Sequence, residues 1–208
     1  MRIASGFRSQ LPDRLPGQLG RYRHRVFIQR LGWQIAAAPH QERHLEQDQF
    51  DQQDTVYVIA LTAAGQVCGC ARLISTTQPT LMREIFPHLM QDALPHSHQV
   101  WELSRFASDS PAITRHLLDA VLHCAAELGI QRLIALSPLA VERLLKRWGI
   151  DTQRAGVPTQ MAGKWICARW IDVPPLTYTL PVWMHPSHSR MPSKKGGGVS
   201  TVLQQREF

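Results

Sequence analysis

The chain has 208 residues, 44% hydrophobic and 19% charged, which suits a single domain with its own core. No run approaches the roughly 18 to 20 apolar residues of a membrane span. The start, Met1-Arg2-Ile3-Ala4-Ser5-Gly6-Phe7-Arg8, lacks the apolar stretch of a secretory leader, so a cytoplasmic protein is expected. Cys68, Cys70, Cys124 and Cys167 are too few and too scattered for a disulfide framework or a four-ligand metal site. They read as buried thiols, with Cys68 and Cys70 on one face of a strand and no metal bound.

The formal charge of +7 is unevenly spread. Residues 1–39 carry seven Arg and one Asp (+6), residues 40–54 five acids and one Arg (−4), and residues 130–170 seven bases and two acids (+5). An acidic stretch between basic flanks predicts two partners of opposite sign.

In chain order, residues 11–31 place Leu15, Leu19, Tyr22, Val26 and Arg30 along one helical stripe. Residues 33–53, rich in Gln, His and Asp, read as a long loop, and such loops inside compact domains tend to carry function. Thr55–Thr62 and Val67–Ser75 are β-forming and joined by the turn Ala63-Ala64-Gly65-Gln66, which predicts a hairpin. Val100–Phe106 is a further strand. Ser110 before Pro111 signals a helix start and Gly129 its stop. Ile113, Leu117, Val121, Cys124 and Leu128 give that helix its apolar face. Arg132–Leu136 is the next strand, and Ser137-Pro138 opens a helix that runs to Gly149 with Leu144, Leu145 and Trp148 inward. Lys164–Ile171 and Tyr178–Val182 complete the strands. The order predicts an α/β fold, a single-domain mixed sheet flanked by helices, over residues 1–184. Residues 185–208, rich in Ser, Pro, Lys and Gly, predict a disordered basic tail.

Three segments concentrate chemistry. Arg23-x-x-x-Phe27-x-x-x-Leu31-Gly32-Trp33 ends the first helix, where core packing is the ordinary reading of Phe27 and Trp33. Asp48-Gln49-Phe50-Asp51 puts two carboxylates in the polar loop, where surface charge is the ordinary alternative. In Trp101-Glu102-Leu103-Ser104-Arg105-Phe106, strand alternation sets Glu102, Ser104 and Phe106 on one side and Trp101, Leu103 and Arg105 on the other. A glutamate and a serine on one face of an interior strand are costly unless paired or used. An ion-pair network of Glu102, Arg105, Arg72, Asp48 and Asp51 is the structural answer.

Taken together, these positions resemble the acyl-homoserine-lactone synthase (autoinducer synthase) family over roughly residues 10–183. They are Arg23, Phe27 and Trp33; Asp48 and Asp51; Arg72 in Gly69-Cys70-Ala71-Arg72-Leu73; and Glu102, Ser104 and Arg105, with Val141-Glu142-Arg143-Leu144-Leu145-Lys146-Arg147-Trp148-Gly149 as a later helix. The resemblance implies an N-acetyltransferase-like fold whose splayed sheet admits an acyl-pantetheine arm. It implies two substrates, S-adenosylmethionine and an acyl group on the 4′-phosphopantetheine of acyl carrier protein, and no bound cofactor. The products would be methylthioadenosine and an N-acyl-L-homoserine lactone, a quorum-sensing signal.

Under that resemblance Glu102 is the general base, and Ser104 orients the thioester or the amine. Arg23, Phe27, Trp33, Asp48, Asp51, Arg105 and Phe106 surround S-adenosylmethionine. Phe27 and Trp33 would offer its sulfonium cation–π contacts of about 0.5 to 2 kcal/mol each. Arg23 suits its carboxylate, while Arg72 and Arg105 order Asp48 and Asp51. Met82, Leu103, Leu136 and Ser137 form the expected acyl pocket, for a medium chain of about octanoyl length. Arg143, Lys146, Arg147 and Lys164 form the expected dock for the acidic carrier.

Two other readings meet obstacles. A coenzyme A-dependent N-acetyltransferase needs a glycine-rich loop before a helix to receive pyrophosphate, and Ala107-Ser108-Asp109-Ser110-Pro111-Ala112-Ile113-Thr114 has no glycine and adds an acid. A basic nucleic-acid-binding protein would suit the pI of about 9.7. However, no helix-turn-helix, zinc-finger or aromatic-rich signature is present, and the acidic loop would repel phosphate.

Overall fold

The computed structural model describes residues 1–33 and 44–176 and the backbone of residues 204–207. One nine-stranded sheet comprises β1 (Arg2–Phe7), β2 (Val56–Leu61), β3 (Val67–Ser75), β4 (Val100–Ser108), β5 (Arg132–Pro138), β6 (Thr152–Arg154), β7 (Thr159–Met161), β8 (Lys164–Asp172) and β9 (Gln204–Glu207). The strand order is β6-β8-β5-β4-β3-β2-β1-β9, with β7 also on β8. The β4–β5 pair is parallel, because α3 (Pro111–Glu127) carries the chain back between them. The other helices are α1 (Arg14–Arg23), α2 (Leu81–Glu84) and α4 (Leu139–Arg147).

The anticipated mixed sheet with flanking helices is the fold. β1 is an addition, since its sequence holds only the adjacent apolar pair Ile3 and Ala4 and a terminal Phe7. Gln204–Glu207 pairs with β1, although its local composition predicts no regular structure; an open strand edge supplies that pairing. The strand expected at Tyr178–Val182 lies outside the described residues.

The two faces of the sheet are covered differently. On one, Leu117 and Val121 of α3 pack with Val58, Ala71, Leu73 and Leu133. Ser110 accepts the Ile113 N–H at 3.3 Å, and Gly129, at φ +73°, closes the helix end. On the other face, Leu15, Leu19 and Tyr22 of α1 meet Tyr57, Ile59 and Cys70. Each fully buried large apolar side chain contributes about 1.5 to 3 kcal/mol. Beyond Arg23 the helix widens into a π-helical segment, His24–Arg30, which buries Val26 and Phe27 and leaves Arg30 exposed, so the expected stripe ends one turn early.

All four cysteines are free and buried. Cys68 and Cys70 do not share a face. A β-bulge near Leu61 interrupts the alternation and sends Cys68 to the α3 core and Cys70 to the α1 core.

Two features shape what lies over β4 and β5. The β4–β5 ladder runs only from Val100–Arg132 to Leu103–Ala135. Meanwhile β5 follows β8 as far as the Pro138–Ile166 pair, and β4 follows β3 to the Ser108–Gly69 pair. Past Leu103 and Ala135 the two strands part, and a gap opens in the sheet. On the α1 side, a separate apolar cluster joins Met82, Ile134, Ala155 and Ala168, with Phe86 and Leu136 against it. Gly156 permits this closure: a Cβ there would stand 1.8 Å from the Leu89 carbonyl oxygen.

Candidate active site

The site is built on a second bulge. Cys70 pairs with Ala107 and Arg72 with Ser104, so β4 spends three steps where β3 spends two. The extra length is taken up at Arg105, which sits at φ +51°. A left-handed residue with a long side chain costs about 1 to 3 kcal/mol and marks a constrained position. Simple alternation therefore fails after Ser104. Arg105 turns to the α1 face beside Ser104, and Phe106 packs against the α3 core, the reverse of the sequence expectation.

With Arg105 on this face, three arginines meet three carboxylates in the interior. Arg23 donates from Nε to Glu46 and from both Nη atoms to Asp51, at 2.8 and 3.0 Å. Arg72 Nη1 reaches Asp48 at 2.6 Å and Asp51 at 2.8 Å, while its Nε donates to Ser104 Oγ at 3.0 Å. Arg105 Nη2 donates to Glu46 at 3.0 Å and Asp48 at 2.6 Å. The Tyr57 hydroxyl donates to Asp51 from the β2 position opposite Arg72. All six charged residues are buried, and three arginines against three carboxylates leave no net formal charge in the cluster. Burial by itself would raise the proton affinity of Glu46 and Asp51. The neighbouring guanidinium groups outweigh it and hold both carboxyls below the ordinary range.

This geometry revises several expected roles. Every nitrogen of Arg23 is committed to Glu46 or Asp51, and the residue is 2% exposed, so it orders the loop instead of receiving a substrate carboxylate. Asp48 and Asp51 neutralise arginines beneath the surface and present no free acidic face to an incoming cation. Phe27 and Trp33 stack at 4.7 Å, and the Arg105 guanidinium lies over both rings at 5.6 and 5.5 Å. Phe27 is buried, whereas Trp33 is 43% exposed and offers the accessible ring. Glu46 is a residue that motif reading overlooked, although three loop acids at 46, 48 and 51 match three interior arginines one for one.

Glu102 stands apart from this network. Among the described residues it forms no ion pair, and Glu46 takes the place expected for it. Glu102 is 3% exposed, and its Oε2 accepts the Met82 N–H at 2.7 Å. Burial pushes its pKa above the ordinary glutamate value; that backbone bond and the Arg72 charge offset burial only in part. It pairs with Ile134 one step before β4 and β5 separate, so it sits at the root of the gap.

The four expected acyl-pocket residues divide around that gap. Met82 and Leu136 lie in the cluster on the α1 side, while Leu103 packs into the α3 core. Ser137 follows Leu136 by one step and so takes the other face. There it accepts from Arg169 Nε at 2.8 Å and does not cap α4, which starts after Pro138. Of α4's inward candidates, Leu145 is buried, and Leu144 and Trp148 are only half-buried. Arg143, Lys146 and Arg147 are exposed along α4. Lys164 is also exposed, but it alternates with Trp165 onto the sheet face away from α4, so it is not part of the same patch.

No described helix is long and apolar enough to cross a membrane. Among the described residues, no group of three or more His, Cys, Asp or Glu is arranged for a metal.

Comparison with known proteins gives a consistent assignment. The Autoinducer synthase family profile matches residues 12–175. An acyl-homoserine-lactone synthase of Ralstonia solanacearum is 40% identical over 176 residues, 79% of this chain and 85% of that protein. The crystal structure of TofI in a ternary complex with an inhibitor and MTA is similar at a TM-score of 0.75 and 43% identity, covering 83% of this chain and 92% of that one. BjaI, described as a CoA-dependent acyl-homoserine lactone synthase with SAM and isopentyl-CoA, is similar at a TM-score of 0.76 and 26% identity, with 84% of each chain covered. The chain belongs to the autoinducer synthase family, the acyl-homoserine-lactone synthases.

Proposed function

We propose that the protein makes an N-acyl-L-homoserine lactone in the cytoplasm from S-adenosylmethionine, used as a substrate and not as a cofactor, and a medium-chain acyl group, near octanoyl, on acyl carrier protein. The observation that carries the mechanism is Glu102, a buried carboxylate of raised proton affinity beside Ser104 at the root of the gap. A base of this kind takes a proton from the substrate ammonium, directly or through one water. The freed amine attacks the thioester carbonyl and forms the amide bond. As the C–S bond breaks, the nitrogen gives up a second proton, which the departing carrier thiolate takes up, while the first passes from Glu102 to water. The substrate carboxylate then displaces methylthioadenosine from the γ-carbon and closes the lactone.

The surrounding residues suit those steps. Ser104 Oγ accepts from Arg72, which leaves its own proton to orient the thioester or the amine. Trp33 offers the sulfonium an exposed ring. Met82 and Leu136, with Phe86 beside them, supply the apolar surface for the acyl chain. The exposed Arg143, Lys146 and Arg147 of α4 favour an acidic carrier.

Acyl-coenzyme A as donor is the second reading, favoured by the similarity to BjaI. Against it, the Ser110 hydroxyl already occupies an N–H at the start of α3, and Asp109 adds a carboxylate just before it. Purified protein is to be given S-adenosylmethionine with a ladder of acyl chains, each on carrier protein and on coenzyme A, with products read by mass spectrometry. Lactone and methylthioadenosine from carrier-bound chains, strongest near octanoyl, are the expected result. Turnover from acyl-coenzyme A alone would overturn the choice of donor, and an acylated amine without lactone would overturn the reaction.

A further inference from the structure

Arg169 on β8 is 1% exposed, yet its ion-pair partner is weak. The Glu142 carboxylate stands 3.5 Å from Nη2, is half-exposed, and is shared with Arg154, whose Nε lies 3.0 Å away. A cation buried on such terms costs stability, and an apolar residue of similar volume would be cheaper. The short contact Arg169 makes is instead to Ser137, whose Oγ accepts from Nε at 2.8 Å; Thr152 Oγ1 lies farther, 3.4 Å from Nη1.

Ser137 belongs to the end of β5 that has parted from β4, so one side of it faces β8 and the other faces the gap. A guanidinium donates and never accepts. The Arg169 contact therefore uses Ser137 Oγ as acceptor and leaves the Ser137 hydroxyl proton to donate elsewhere. Glu142 of α4 and Thr152 of β6 flank the guanidinium at 3.5 and 3.4 Å, so the hydroxyl is kept on the α4 face of the β5 end that borders the gap.

We infer that Arg169 is a positioning residue that presents the Ser137 hydroxyl as a hydrogen-bond donor to an oxygen of the acyl donor. This rests on the acyl donor entering the gap, as under the proposed function. The acceptor oxygen has two sources of the same chemistry: a carbonyl of the pantetheine arm or thioester, present on every donor, or an oxygen on the third carbon of an oxidised chain.

The test is steady-state kinetics of Ser137→Ala, Arg169→Met and the double variant, with octanoyl and 3-oxooctanoyl carrier protein and each substrate varied in turn. Each single variant raises the KM of the acyl donor about 5- to 10-fold, the loss of one hydrogen bond, and leaves kcat and the KM of S-adenosylmethionine unchanged. The double variant is no worse than either single, because both remove the same contact. Equal losses with both donors assign the oxygen to the arm, and a loss confined to 3-oxooctanoyl assigns it to the chain. Ser137→Ala without effect on either donor overturns the inference. So does full additivity of the two substitutions, or an equal rise in the KM of S-adenosylmethionine. Failure of the unsubstituted protein to form any lactone overturns the proposed function itself.

Discussion

The carboxylates of this protein live in two opposite environments within one layer of the sheet. Glu46, Asp48 and Asp51 are buried against Arg23, Arg72 and Arg105, and each accepts from at least one guanidinium. Glu102 is equally buried but has no guanidinium partner: backbone N–H groups of Met82 and Leu81, the Thr80 hydroxyl and the field of Arg72, which is paired elsewhere, offset its burial only in part. Glu46 and Asp51 are held in the charged form, and the paired group shapes the site. Glu102 binds a proton readily and is free to move one. Burial alone therefore says little about the role of an acid; the charge balance around it decides.

Breaking the paired side has the largest expected effect. Asp51→Ala leaves three buried guanidinium groups to share two carboxylates and is expected to destabilise the fold by about 3 to 5 kcal/mol, read by urea unfolding. Gly156→Ala comes next. Its methyl group collides with the Leu89 backbone, so the loop carrying Met82 must shift, with an expected loss of about 1 to 3 kcal/mol by the same measurement and a weaker preference among acyl chains.

The pH dependence sharpens the contrast. Glu46 and Asp51 have folded pKa values below their unfolded ones. Their stabilisation is complete above about pH 4 and is lost as pH falls through the folded values. Glu102 has the opposite sign: the folded protein takes up its proton first, and its cost to stability appears as pH rises from about 4 through its folded pKa. Calorimetry should therefore show a melting temperature that declines as Glu102 ionises on the alkaline side and drops below about pH 4 on the acid side. The acid limb of kcat/KM should lie at a higher pH than that drop. The smallest effect separates two basic positions. Arg143→Glu is expected to raise the KM for carrier-bound substrate several-fold, about what a rim charge contributes, while Lys164→Glu, on the other face of the sheet, leaves it nearly unchanged.

Much of this was legible in the sequence. Periodicity located α1 and α3, and cap signals at Ser110 and Gly129 fixed the ends of α3. The hairpin Thr55–Ser75 followed from β-branched runs around a turn. The motif set marked the interior arginines and two of the three acids. What escaped was set by events that do not repeat along the chain. The bulge at Arg105 reverses the facing of Arg105 and Phe106, and the bulge at Cys68 separates two cysteines that alternation would pair. Arg23 looked available to substrate because the sequence does not reveal that Glu46 and Asp51 exhaust its donors. Ser137 resembled a helix cap because its partner, Arg169, lies 32 residues away on a neighbouring strand.

The most direct test of the contrast between the two kinds of carboxylate is the Glu102→Gln variant, assayed for turnover, S-adenosylmethionine affinity and melting temperature in one preparation at neutral pH. The account predicts a melting temperature equal to or above that of the unsubstituted protein, unchanged affinity, and a fall in kcat of about 10²- to 10⁴-fold, the usual worth of a general base. Near-normal turnover would contradict the role given to Glu102. A large loss of stability would instead place it among the structural carboxylates.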